Sequence, residues 1–188
     1  MTRLLALYSP APQSGKTTIA NYLVVAGWRR VSFAAPIKRL VTQLLTEIGL
    51  SDDNARRLVN TDKEEVIPQL RTTARHMMQT LGTEYGRNCI HPQLWTMCAE
   101  ARINKLLAEG IPVVVDDCRF PNEAALIRRL GGEVWRLSRP SAARNTTHAS
   151  EGALDDYPLF DRDLVNDGSL MDLYDRVNEI LQPTPTAA

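Results

Sequence analysis

Ser9-Pro10-Ala11-Pro12-Gln13-Ser14-Gly15-Lys16-Thr17-Thr18 follows the apolar run Leu4 to Tyr8 and precedes Ile19-Ala20-Asn21-Tyr22-Leu23-Val24-Val25-Ala26. The order is strand, tight loop, helix, which a phosphate-binding loop requires. Gly15 lets backbone N–H groups approach an anion, the helix that follows presents its positive end, and Lys16 adds a full charge. Thr17 is placed to hold magnesium through its hydroxyl. The loop departs from the usual spacing at one point: Pro10 stands where a glycine is expected, five residues before Gly15. With Pro12 it makes the loop stiff and removes N–H donors.

Outward from the loop, the pattern alternates. A helix with Ile19, Leu23 and Val24 inward stops at Gly27, and Trp28 to Ala34 reads as a second strand. Pro36 opens a second helix, with Ile37, Leu40, Val41, Leu44, Leu45 and Ile48 at helical spacing as far as Gly49. Ser51 to Glu65 is charged and reads as a mobile helical insert, with Thr61 and Glu64 spaced as a capping box. Arg71 to Leu81 reads as a helix with Met77 and Met78 inward, followed by a turn over Gly82 to Arg87 and a longer helix from Pro92 to Ala108. Ile111 to Val115 is a continuous apolar run, the mark of a strand buried on both faces of a parallel sheet, and it ends in Asp116-Asp117. A helix from Pro121 closes at Gly131-Gly132. Glu133 to Ser138 and Asp163 to Val165 are the fourth and fifth strands. Asn166-Asp167-Gly168 turns into a last helix capped by Ser169 and Asp172.

The reading is an α/β chain with a doubly wound parallel sheet, whose ligands gather at the carboxyl ends of the strands. One domain is expected over 1–181, with an insert at about 50–92, a lid at about 139–162 and a tail at 182–188. The length, 188 residues with 44% hydrophobic, supports one good core. Twenty-two basic residues balance 22 acidic ones, which argues against a nucleic-acid groove. Cys89, Cys98 and Cys118 have no metal-ligand spacing, and no run suits a membrane span or a signal segment. The expected setting is the cytoplasm.

A nucleoside triphosphate with magnesium in this loop needs a lysine, a metal and arginines to offset moving charge. Asp116 or Asp117 is the candidate for the metal's water shell, and each has a rival reading as a helix cap beside Arg119. Arg71, Arg75, Arg87, Arg119, Arg139 and Arg144 are candidate phosphate forks. A phosphate monoester acceptor is already anionic and needs no general base, which suits a chain without a Ser-His-Asp or Cys-His arrangement. His148 is a weaker phosphate candidate. Trp95 and Tyr85 are candidates for stacking on a base, against the commoner role of aromatics in a core.

These residues resemble the phage deoxynucleoside monophosphate kinases, a branch of the P-loop nucleotide kinases. The resemblance runs through Ser14-Gly15-Lys16-Thr17, Phe33-Ala34-Ala35-Pro36-Ile37-Lys38, and Arg75-x-x-x-Gln79-x-x-Gly82-Thr83-Glu84-x-Gly86-Arg87. It continues with Asp117-x-Arg119-Phe120-Pro121-Asn122-Glu123, Arg139-Pro140, His148-Ala149-Ser150-Glu151 and Asn166-Asp167-Gly168-Ser169. It implies a P-loop kinase fold with a central five-stranded sheet, a helical monophosphate-binding insert and a lid. It implies transfer of the ATP γ-phosphoryl group to a deoxynucleoside monophosphate, with Mg2+. Carried over, Ser14, Gly15, Lys16, Thr17 and Thr18 bind ATP, with Arg139 and Arg144 from the lid. Thr17 and Asp117 serve the metal, and Lys16, Asp117, Arg119 and Arg139 serve catalysis. Lys38, Arg75, Gln79, Arg87, Trp95 and Glu151 face the acceptor. The partner is a small molecule rather than nucleic acid or membrane, and a homodimer is compatible with the pattern. Two other readings compete: a related kinase acting on a modified pyrimidine, free or in DNA, and a nucleotide-sensing loop module without turnover.

Overall fold

The computed structural model describes residues 3–140 and 153–181. The chain divides into two compact units, one of 1–32 with 100–188 and the other of 33–99.

The first unit carries a five-stranded sheet. Its strands are β1 (Leu4–Tyr8), β2 (Arg29–Val31), β5 (Val113–Val115), β6 (Glu133–Ser138) and β7 (Arg162–Val165). Their spatial order is β2-β5-β1-β6-β7, and every neighbouring pair is parallel. Leu4, Leu5, Ala6, Leu7 and Tyr8 are all buried, as are the three valines of β5. Such unbroken apolar runs suit the middle of a parallel sheet covered on both sides. Helix α1 (Lys16–Val25) and helix α7 (Leu170–Leu181) cover one face, where Ile19, Leu23, Leu173 and Val177 meet Leu5, Leu7, Trp135 and Leu137. Helix α6 (Pro121–Arg129) packs against β1 and β6. Because all five strands run the same way, the segments after Tyr8, Val31, Val115, Ser138 and Val165 leave one edge together. The order reverses beside β1, and that is where an open α/β sheet leaves a crevice for a ligand.

Strand β2 is shorter than the expected Trp28 to Ala34. It pairs with β5, which offers three residues, so the ladder stops at Val31↔Val115. Trp28 instead packs in the core at 9% exposure. Of the expected lid, residues 141–152 lie outside the described residues. The part after them is held to the sheet: Leu154 is fully buried, Asp155 accepts a hydrogen bond from the Tyr8 hydroxyl, and Phe160 stacks on Tyr8 with ring centroids 5.5 Å apart. The tail at 182–188 is also outside the described residues.

The second unit is mainly helical. It holds α2 (Ala35–Glu47), α3 (Asp52–Asn60), the antiparallel pair β3 (Val66–Ile67) and β4 (Thr72–Thr73), α4 (Ala74–Gln79), a π-helical stretch (Thr80–Ile90) and the start of α5 (Leu94–Ala108). Val41, Leu45, Ala55, Leu58, Val59, Ile67 and Ala74 form its core, with Met77 and Met78 packed on it as expected.

Three local expectations are corrected here. The charged helix is capped at its start by Ser51, whose hydroxyl accepts from the Asn54 N–H, and Thr61 is its C-terminal cap, donating its N–H to the Arg57 carbonyl, rather than the opening of a capping box. The helix expected from Arg71 begins at Ala74, because Thr72-Thr73 pairs with Val66-Ile67 and the Thr73 hydroxyl caps His76 N–H at 3.1 Å. The expected turn over Gly82 to Arg87 is π-helical, closed by His91 N–H to Gly86 C=O at 3.0 Å. Two glycines in five residues read locally as breakers. In the fold both are buried, because Trp95 lies on Gly86 and donates its indole N–H to the Gly82 carbonyl at 2.7 Å. Among the described residues no helix is long and apolar enough to cross a membrane.

Candidate phosphate-binding site

The loop between β1 and α1 turns twice through left-handed backbone, at Gln13 with φ 56° and at Gly15 with φ 109°. Glycine adopts that conformation at no steric cost; Gln13 does so at a cost of about 1 kcal/mol, tolerated where the surroundings hold it. Such a reversal lets successive N–H groups converge into an anion-binding concavity. At the start of α1 no side chain caps Gly15 and no acidic residue occupies the first turn. The positive end of the helix dipole is therefore left for a ligand.

Lys16 is half-buried at this point. Burial, with the Arg119 charge beside it, pulls its ammonium down to about 8, against the opposing effect of Asp116. A partly desolvated lysine whose charge is disfavoured gains when a phosphate arrives. Lys16, Thr17, Thr18, Gly15 and Ser14 line a cavity of about 570 Å3, together with Arg139 from the end of β6 and Asn166 from the turn after β7. Arg139 points a guanidinium nitrogen at the Gln13 carbonyl at 3.4 Å. The fold thus brings together Ser14, Gly15, Lys16, Thr17, Thr18 and Arg139.

The two aspartates after β5 differ in their partners. Asp116 is 6% exposed and forms an ion pair with Arg30 of β2. Burial holds its carboxyl above the ordinary carboxylate range, although Arg30 works the other way. Asp117 is half-buried and accepts a hydrogen bond of 2.5 Å from the Ser32 hydroxyl. Cys118 between them and Arg119 is 1% exposed, and burial pushes its thiol well up, so it packs inward as a neutral group. Arg119 is exposed at its side chain, while its N–H and that of Phe120 donate to the buried Glu123 carboxylate at 2.8 and 3.1 Å. That cap, with Pro121 in the first turn of α6, fixes where the Asp117 to Arg119 loop ends.

The other candidates lie in the second unit or beyond the described residues. Lys38 bonds Asn60 Oδ1 at 3.3 Å, and Arg75 forms an exposed ion pair with Glu64. Gln79 is half-buried in the last turn of α4, and Arg87 is half-buried in the π-helical stretch. Trp95 is corrected from a stacking platform to a packing residue: it is 6% exposed, with its ring against Gly86 and its indole N–H already bonded. Tyr85, by contrast, is exposed. Arg144, His148 and Glu151 lie outside the described residues.

Arg30, Ser32 and Asn166 were not candidates on sequence. Arg30 and Ser32 reach the aspartates only across the β2–β5 ladder, and nothing near them in the chain signals it. Asn166 reads locally as a turn residue, yet its Nδ2 donates to the Ser14 carbonyl at 2.8 Å.

Residues 51–177 match the family described as deoxynucleotide monophosphate kinase. Over 177 residues the chain is 32% identical to a protein of Acanthamoeba polyphaga mimivirus named putative deoxynucleotide monophosphate kinase, covering 87% of this chain and 89% of that one. It is 36% identical over 75 residues to the deoxynucleoside-5'-monophosphate kinase of Escherichia phage T5, covering 40% of this chain and 29% of that one. To the deoxynucleotide monophosphate kinase of Escherichia phage RB69 it is 30% identical over 111 residues, covering 57% of this chain and 44% of that one.

Proposed function

The chain belongs to the deoxynucleotide monophosphate kinase family, and from that premise we propose that it transfers the γ-phosphoryl group of ATP to a free deoxynucleoside monophosphate through the loop of Ser14 to Thr18. One observation carries the assignment of the donor side. Lys16 stands half-buried at the uncapped start of α1, in a cavity that Arg139 also lines.

The acceptor's phosphate oxygen attacks the γ-phosphorus while the bond to the β-γ bridging oxygen breaks, giving a diphosphate and ADP. Little covalent work falls to the protein, which positions the groups and offsets charge on the equatorial oxygens. Lys16 and the first N–H groups of α1 hold the donor phosphates, and Arg139 adds charge from the end of β6. Arg119, whose charge already acts on Lys16, is assigned the offsetting of charge on the phosphoryl group in transfer. The oxygen donors of Thr17 and Asp117 suit magnesium, which favours oxygen ligands and keeps several waters. When bound, that ion supplies charge compensation to the phosphate oxygens. Lys38, Arg75, Gln79 and Arg87 are assigned to the acceptor, by the family's pattern.

The direct test is a coupled assay of ADP release with ATP, magnesium and each deoxynucleoside monophosphate in turn, beside the ribonucleotides and a single-stranded oligonucleotide. Turnover with one or more free deoxynucleotides is the expected result. Activity on the oligonucleotide alone would assign the chain to DNA modification. ATP binding with silence on every acceptor would make it a sensing module.

A further inference from the structure

Asn166 follows β7, the edge strand of the sheet, and Ser14 belongs to the loop after β1; β6 lies between the two strands. Across that separation the Asn166 side-chain amide donates to the Ser14 carbonyl at 2.8 Å. The Ser14 carbonyl and the Gly15 N–H belong to one planar trans peptide and point in opposite directions. Holding the carbonyl toward Asn166 therefore points the Gly15 N–H, within the same plane, away from Asn166. The contact is close as well as bonded. A Cβ on Gly15 would lie 2.8 Å from Asn166 Nδ2, at a residue whose φ is already 109°.

We infer that Asn166 is a positioning residue: it locks the Ser14–Gly15 peptide in the orientation that offers the Gly15 N–H to a phosphate chain. The inference rests on the kinase reading for its purpose, but its physical content is the anion affinity of the loop. A preformed donor set avoids the reorganisation that a freely rotating peptide would need when the ligand arrives.

The probe is inorganic tripolyphosphate, which carries the phosphate chain without base or sugar. Asn166→Ala should weaken tripolyphosphate and ATP about tenfold each, equivalent to ~1.4 kcal/mol. In 15N-labelled protein, the Gly15 amide resonance should move in the free variant, and most of its displacement on adding tripolyphosphate should disappear. Asn166→Leu keeps the branching at Cγ and the number of side-chain heavy atoms without the donor and should behave alike; it is read in place of the alanine variant if that one melts too low to assay.

Tripolyphosphate affinity within twofold of the parent protein, or an unchanged Gly15 displacement, would overturn the inference. So would failure of the parent protein to bind tripolyphosphate. Neither arm needs turnover, so a parent protein that binds tripolyphosphate but phosphorylates no acceptor counts against the kinase reading and not against Asn166.

Discussion

Ser32 donates its hydroxyl proton to the Asp117 carboxylate at 2.5 Å, while the adjacent Asp116 turns to Arg30. Neighbouring residues just past β5 thus take different partners, Arg30 on β2 and Ser32 immediately after it. The chain bends at Asp116, past the end of β5, and one carboxylate is buried against Arg30 while the next is half-buried against the Ser32 hydroxyl.

Asp117→Asn should lower turnover by about 10²–10³-fold, the order expected when a charged group that orients phosphate or metal is neutralised, with little change in melting temperature. Arg30→Ala should show the reverse. It leaves Asp116 buried without its cation, at a cost of ~1–2 kcal/mol once the partial exposure of Arg30 is discounted, with turnover of the folded fraction largely kept. Melting curves and steady-state kinetics on both variants check the assignment. Equal loss of turnover in both would mean that the two carboxylates act as one site.

Lys16 should make ATP binding sensitive to pH. Its ammonium titrates near 8 in the free protein, below the ordinary 10.5. ATP requires the charged form, so above about pH 8 affinity should fall by up to tenfold per unit as a proton must be taken up on binding. In Lys16→Arg that fall should be absent. The sign for stability is opposite. Between about 8 and 10.5 the unfolded chain holds the extra proton, so the Lys16 contribution to stability rises with pH across that window. Calorimetric titration of ATP from pH 7 to 9.5 and thermal melts of the free protein give the two readings.

Trp95→Phe should leave acceptor KM unchanged within about twofold while lowering stability by ~1–3 kcal/mol, because the buried Gly82 carbonyl loses its indole donor. Gly86→Ala should cost a similar amount. Its Cβ would sit 2.7 Å from the Trp95 ring carbon Cε2 and 2.8 Å from the Leu81 carbonyl oxygen, so ring or backbone must shift; overpacking of this kind costs ~1–3 kcal/mol. A marked rise in acceptor KM for Trp95→Phe at unchanged stability would restore the stacking role.

Tyr8→Phe keeps the aromatic stack on Phe160 and removes the hydroxyl that Asp155 accepts from. The expected cost is ~0.5–1.5 kcal/mol, with faster amide exchange confined to residues 153–160. Uniformly faster exchange across the sheet would show that the bond supports the whole first unit and not the returning segment.

Sequence alone determined the five strands, the helix after the phosphate loop and the presence of Lys16 at its start. Each of these depends on short-range order: an unbroken apolar run such as Leu4 to Leu7, a Gly-Lys-Thr at a strand-to-helix junction, a Ser169–Asp172 cap three residues apart. The Gly82 to Arg87 stretch failed that logic because its conformation is decided by Trp95, nine residues past the second glycine, rather than by local propensity. Tertiary structure alone decided which aspartate pairs with Arg30, that Asn166 holds the Ser14 carbonyl, and how far Lys16 is desolvated. These contacts join residues up to 152 positions apart. Hydrogen-bond direction and dielectric environment are set by what packs alongside, and no periodicity in the chain encodes them.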